Sequence, residues 1–299
     1  MCANLQFAQS VPREGYAPLD NAELFYREVG HGQPIIVIHG GPDFDHTYLL
    51  PDMDRLSDSY RLIYYDQRWR GKSTSTIPPD DITIQTEIDD LEGLRKHFQL
   101  DSVAVLGHSW GGYLAMEYAI RHPDRVSHMI LMNTGVASHE DYLLLQQELS
   151  RRKAPYREEL NALLASAAYK GGDPDAVAQY YRIHFGTTIK QPHLLEGLIE
   201  RMQIGFTKEG ILRGWQVEEM LINETWLSGD CDLFPKLGQL STPTLVVHGD
   251  YDVIPAECAA RISQAVPGAR FVLLRESGHF AYMESPDQVR KEIADFFVK

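Results

Sequence analysis

The chain has 299 residues, 43% hydrophobic and 23% charged, which suits a globular protein with one large catalytic domain and room for an insertion. Its formal net charge of −14 excludes the concentrated lysine and arginine that phosphate binding needs, so no nucleic-acid partner is expected. Three cysteines without a C-x-x-C spacing exclude a disulfide framework and fit a reducing compartment.

The opening Met1-Cys2-Ala3-Asn4-Leu5-Gln6-Phe7 carries neither a basic leader nor an apolar run, so no secretory leader is expected. No stretch reaches the ~18 apolar residues of a membrane span. The expectation is a cytoplasmic protein without membrane contact, and Asn223-Glu224-Thr225 is a chance match to a glycosylation sequon. Nothing in the sequence bears on oligomeric state.

Residues 23–29 predict an antiparallel edge strand. Apolar runs rich in β-branched residues follow at 35–38, 62–65, 103–106, 129–132, 245–247 and 271–274. Continuous rather than alternating runs predict strands covered on both faces. Between them Ile84, Ile88, Leu91, Leu94 and Phe98 recur at helical spacing, as do Val289, Ile293, Phe296 and Phe297. Such alternation predicts a mostly parallel, doubly wound α/β sheet. It lapses over residues 137–231, where Tyr142, Leu145 and Leu149, then Leu160, Leu163 and Leu164, then Ile211, Leu212, Trp215 and Met220 have helical spacing. Gly171-Gly172-Asp173-Pro174 breaks that stretch. The expectation is a helical cap over 137–231, inserted into a catalytic domain made of residues 1–136 and 232–299.

Chemistry-bearing residues gather where the predicted strands end, the edge at which open α/β sheets bind ligands. Gly107-His108-Ser109-Trp110-Gly111 joins the strand at 103–106 to a helix. A nucleophile in so sharp a turn needs small residues two before and two after it, and the turn exposes the Ser109 hydroxyl beside a helix N-terminus. His39-Gly40-Gly41-Pro42 ends the strand at 35–38. A tetrahedral oxyanion needs two backbone N–H donors, and Trp110 and Gly41 are the candidates. A serine also needs a histidine to take its proton and a buried carboxylate to orient that histidine. His279, after the strand at 271–274, is the candidate base. Asp250 and Asp252 follow the strand at 245–247. Asp252 is preferred as the acid, because Asp250 directly follows Gly249 and reads as a turn former. His39 and His108 read as structural. Asp43, Asp45 and His46 lack the ligand count of a metal site, and neither metal nor cofactor is expected.

These motifs resemble the α/β-hydrolase superfamily over nearly the whole length. Within it, His39-Gly40-Gly41-Pro42, Asp66-Gln67-Arg68 with Gly71 and Ser73, and Gly107-His108-Ser109-Trp110-Gly111-Gly112 are most similar to the proline iminopeptidases. The resemblance implies an α/β-hydrolase fold and a serine aminopeptidase that releases small N-terminal residues from short peptides through an acyl-enzyme. It also implies that cap carboxylates hold the substrate amine. Glu218 and Glu219, with Glu224 nearby, are the candidates, against the plainer reading of a solvated helix face. That family has glycine after the His-Gly-Gly-Pro run and after Asp-Gln-Arg; here Asp43 stands at the first place and Trp69 and Arg70 follow at the second, and both changes are expected to put bulky or charged side chains near the site mouth. A carboxylesterase or lactonase with the same triad is the alternative, and a non-catalytic ligand-binding homologue a third reading.

Overall fold

Apolar runs of four to seven residues, buried on both faces, fix the frame of the molecule. The computed structural model describes residues 11–298, so Cys2 and the opening heptad lie outside the described residues. The strands are β1 (Arg13–Leu19), β2 (Ala22–Val29), β3 (Gln33–Ile38), β4 (Tyr60–Tyr65), β5 (Thr74–Ser75), β6 (Val103–His108), β7 (Val126–Met132), β8 (Thr244–Gly249) and β9 (Arg270–Leu274). They form one sheet in the order β1-β2-β4-β3-β6-β7-β8-β9, with β5 on β2. Pairing is antiparallel between β1, β2 and β4 and parallel from β4 to β9.

The stretch at 23–29 is therefore not the edge. It lies inside the sheet, and β1 forms the edge. The β1 strand escapes detection because an outer strand buries little: only Ala17 of its seven residues is fully covered.

Alternate residues along the central strands enter two cores. Ile36, Ile38, Val105, Leu131 and Val246 face helices α1 (Ile84–His97) and α2 (Trp110–Arg121). Ile35, Val37, Leu106, Ile130 and Val247 share the other core with Val289 and Ile293 of the C-terminal helix Pro286–Phe297. Between β7 and β8 the chain forms α3 (His139–Lys153), α4 (Arg157–Ala165), α5 (Ala167–Lys170), α6 (Pro174–Gly186), α7 (Leu195–Ile204) and α8 (Lys208–Glu224). Caps explain the breaks. Ser138, Asp173 and Thr207 each accept a backbone N–H at the start of α3, α6 and α8, and Pro174 occupies the first turn of α6. Thus Gly171-Gly172-Asp173-Pro174 ends one helix and opens the next. Among the described residues no helix is long and apolar enough to cross a membrane.

Between β6 and α2 the turn is as tight as its glycines allow. Ser109 sits at φ 56°, ψ −122°. A methyl group on Gly107 would overlap the Gly111 carbonyl, and one on Gly111 would overlap the Ile38 carbonyl. Both obstacles are backbone and cannot swing aside. Gly111→Ala is expected to destabilise the protein by at least about 3 kcal/mol, read in a thermal melt as a Tm lowered by roughly 5–10 °C. An unchanged Tm would mean the turn is looser than its geometry indicates.

Candidate active site

The ends of β6, β8 and β9 bring Ser109, Asp252 and His279 together at one edge of the sheet. Ser109 Oγ lies 3.1 Å from His279 Nε2. On the other side of the ring, His279 Nδ1 lies 2.9 and 3.1 Å from the two Asp252 oxygens. With Nδ1–H donating to the carboxylate, Nε2 is left as an acceptor for the serine hydroxyl. Burial alone would raise the Asp252 pKa, but the charges of His279 and His248 and hydrogen bonds from His279 and Asn133 hold it well below the usual carboxylate range. Asp252 Oδ1 also accepts the Ile254 amide at 3.1 Å, and Oδ2 the Asn133 side-chain amide at 2.7 Å. Asp250 stays on its own turn, 3.6 Å from Arg275 and 3.5 Å from the Ser277 amide.

Trp110 is the first residue of α2, where backbone amides have no acceptor within the helix. Its indole is buried, donates to Gln67 Oε1 at 3.3 Å and stacks on Tyr113. Gly41 lines the cavity that contains Ser109 and His279 and adopts φ 115°, a conformation that glycine permits. The loop is held by the Gly40 amide, which donates to Tyr48 Oη at 2.7 Å. His39 receives the Gln67 amide on Nε2 at 3.0 Å, while Nδ1–H donates to Gly40 O at 2.8 Å. His108 bridges Tyr48 Oη at 2.7 Å and the His279 carbonyl at 2.9 Å. Burial pushes both histidines down to about 3, so they stay neutral and act as braces.

Two cavities meet at Ser109 and His279. One, of about 310 Å³, is walled by Phe44, Tyr181 and Phe185 and carries Asp43 and Glu218. The other, of about 440 Å³, runs between α3 and α8 past Leu145, Leu149, Ile222 and Trp226, shares Glu218 with the first and has Glu219 exposed on its rim. Asp43 accepts the Tyr181 hydroxyl at 2.5 Å. Burial pushes its carboxyl up to about 6, against that hydrogen bond and the charge of Arg70. Glu218 is pushed well above the carboxylate range by burial and then by the nearby Asp43.

The departure at Trp69 and Arg70 does not crowd the mouth. The Trp69 indole donates to Ile77 O at 2.6 Å, outward from the site, with Arg213 over its ring. Arg70 is buried, bonded to Glu87 Oε1 at 2.6 Å and Gln67 Oε1 at 2.9 Å. Neither lines the two cavities at Ser109. The expectation of bulk at the mouth is thus corrected: sequence proximity to the motif did not account for a backbone that turns both side chains away. Glu224 is likewise engaged elsewhere, accepting the Ile84 amide at the start of α1 at 2.8 Å.

A family described as "alpha/beta hydrolase fold" matches residues 33–172, the part that carries both the His-Gly-Gly-Pro loop and the serine turn. The chain has the α/β-hydrolase fold. It is 28% identical over 293 residues to a proline iminopeptidase of Saccharolobus solfataricus, covering 95% of this chain and 91% of that one. A solved proline iminopeptidase of Mycobacterium smegmatis superimposes with a TM-score of 0.70 at 23% identity, covering 95% and 97% of the two chains. An enol-lactonase of Burkholderia xenovorans superimposes with a TM-score of 0.69 at 23% identity, covering 95% and 100%. At those identities the structural likeness speaks for the fold alone.

Several polar side chains that organise the hydrolase site left no trace in periodicity. Asn133, directly after β7, holds Asp252 and also donates to Gly278 O at 2.9 Å. Arg152 of α3 donates to the carbonyls of Tyr251 and Asp252, each at 2.8 Å, and of Thr187 at 3.0 Å. Glu284 accepts the amides of Lys190 at 2.7 Å, Gln191 at 3.1 Å and Gly278 at 2.9 Å. The His279 amide donates to Thr188 O at 3.0 Å. For Asn133 alone a signal existed, since it follows a strand run at the edge where the other site residues lie.

Asp45, His46 and Asp66 bring their ligand atoms within 4.8 Å of one another. Their atoms already serve the loop: His46 Nδ1 lies 2.7 Å from Asp66 Oδ1, the Lys72 amide 2.9 Å from Asp66 Oδ2, and the Thr47 amide 2.8 Å from Asp45 Oδ1.

Proposed function

We propose that the hydrolase is a serine aminopeptidase of the proline iminopeptidase kind, acting through an acyl-enzyme on Ser109. The observation that carries this reading is the Asp43–Glu218 pair in the cavity beside Ser109. In an aminopeptidase the α-amine is separated from the reacting carbonyl by one carbon, so its binding group must share the acyl cavity. Burial raises the pKa of both carboxyls, and repulsion from Asp43 raises that of Glu218 further. An ammonium group would relieve that repulsion through charge-assisted hydrogen bonds.

Ser109 Oγ attacks the carbonyl carbon while His279 Nε2 takes its proton, and Asp252 steadies the imidazolium. The Gly41 and Trp110 amides receive the oxyanion. His279 protonates the departing amine, then activates a water that releases the acyl group and restores Ser109. Residues 137–231 act as the lid: Tyr181 of α6 and Trp215 and Glu218 of α8 close the acyl cavity over Ser109. No residue of this scheme calls for a cofactor. The sparse, free cysteines support a reducing, cytoplasmic setting.

A prolyl or alanyl amide with a free amine is expected to be hydrolysed about ten- to a hundredfold faster than its N-acetyl counterpart. Glu218→Gln should erase that difference, because glutamine reproduces the neutral carboxyl of the empty pocket but not the anion that meets the amine. Equal rates on free and blocked amides would sink the peptidase reading. The aromatic walls Phe44, Tyr181 and Phe185 would also seat a neutral acyl group. Activity confined to esters and lactones would therefore assign the hydrolase as an esterase or lactonase.

A further inference from the structure

The wider cavity, on the leaving-group side of Ser109, carries a cation that forms no ion pair among the described residues, although Glu218 and Glu219 line the opposite wall. Lys153 is the last residue of α3 and lines this cavity together with Ser109, His279 and His184. Its Nζ lies 3.5 Å from Tyr180 Oη and 5.2 Å from the centre of that ring. The neighbouring cations are otherwise occupied. Glu148 pairs with Arg151 at 2.6 Å and with Arg152 at 2.7 Å, and Arg152 spends its remaining donors on loop carbonyls. Among the described residues no carboxylate forms an ion pair with Lys153, and burial alone pulls its ammonium down to about 8.

A cation is favoured at a helix C-terminus, but that preference is already met by Arg151 and Arg152 and gives no reason to half-bury a third charge. His184 adds a second unsatisfied group at the same place, its Nδ1 buried without a hydrogen-bond partner. Glu219, the acid on the rim, is exposed, where water and salt screen its charge.

We infer that Lys153 holds the carboxylate of the leaving group, so that the preferred substrates are dipeptides whose second residue is a free amino acid. The inference deepens the aminopeptidase reading and rests on it. Asp43 lines the acyl cavity and not the other, Glu218 stands where the two cavities meet, and Lys153 lines the leaving-group cavity and not the first, so the charges run from acid to base across Ser109 as they do in a zwitterion cut in the middle. When a dipeptide is cleaved, the carboxylate lies one residue, ~3.8 Å, beyond the scissile bond. A longer peptide presents an uncharged amide at that place. The walls formed by Leu145, Leu149 and Ile222 suit an apolar side chain on the departing amino acid.

The test compares kcat/KM for prolyl-leucine and prolyl-leucinamide in the wild-type protein, in Lys153→Met and in Lys153→Arg. The wild type is expected to favour the free acid by about ten- to a hundredfold. Lys153→Met should bring the ratio close to one, and Lys153→Arg should keep most of it. A second pair, acetoxyacetate and acetoxyacetamide, places the carboxylate at the same distance from an ester carbonyl and needs no amine. If both dipeptides resist cleavage while acetoxyacetate keeps a Lys153-dependent advantage, the aminopeptidase reading falls and the role of Lys153 stands. Wild-type ratios near one for both pairs, or a ratio undiminished in Lys153→Met, would overturn the inference.

Discussion

Ser109→Ala is expected to lower kcat/KM by about 10⁴-fold or more while leaving the fold intact. The substitution removes one oxygen, the atom 3.1 Å from His279 Nε2, and the methyl group that remains keeps the Cβ already accommodated at φ 56°. Residual turnover would reflect the Gly41 and Trp110 amides and substrate binding alone. His279→Ala should fall into the same range, and the double variant should be scarcely worse than either single one, because the two residues act as a unit. Steady-state kinetics on an ester substrate, paired with a melting curve, decides the matter. Folded Ser109→Ala turning over near the wild-type rate would end the serine-nucleophile reading.

The second large effect separates two aspartates two residues apart. Asp252→Asn should reduce turnover by about 10⁴-fold, and Asp250→Asn by no more than a few-fold. Both Asp252 oxygens accept from donors: Ile254 N and His279 Nδ1 on one side, the Asn133 amide on the other. An asparagine must turn its NH₂ toward one of them. A donor then faces a donor, or the imidazole adopts the tautomer whose Nε2 carries the proton and cannot accept one from Ser109. Among the described residues the Asp250 carboxylate is held by Arg275 and by the Ser277 amide, away from His279. Equal losses in the two variants would mean that the turn as a whole, rather than the Asp252 carboxylate, orients the histidine.

What could be read from the sequence follows from what each residue buries. Strands β3, β6 and β8 announce themselves because they are covered on both faces and become unbroken apolar runs. Strand β1 is an edge and buries one residue fully, so it leaves no such run. The serine turn was legible because its glycines answer a steric demand that any such turn makes. Asp43 was noticed because it departs from glycine and brings a charged side chain near the site, and its carboxyl lines the cavity beside Ser109 and Glu218; the pairing with Glu218 left no mark in the sequence. Arg152 and Glu284 could not be found by any pattern, because they bond backbone groups, and backbone groups are the same at every position.

The bonds of Arg152, Thr188 and Glu284 bear on how this scaffold can be re-engineered. The helical insert is not a detachable module with a private hydrophobic seam. Its α6–α7 connection supplies the carbonyl that receives the His279 amide, and its α3 supplies the guanidinium that grips the loop around Asp252. A chimera carrying another hydrolase's lid would have to reproduce an acceptor at position 188 and a forked cation at position 152. Without them it would import new selectivity at the expense of the geometry of its own base. Directed recombination with breakpoints at the two insert junctions should therefore yield active hybrids only from donors that keep this stitching. Exchanges confined to the cavity-facing side chains of α6 and α8 should be tolerated far more freely.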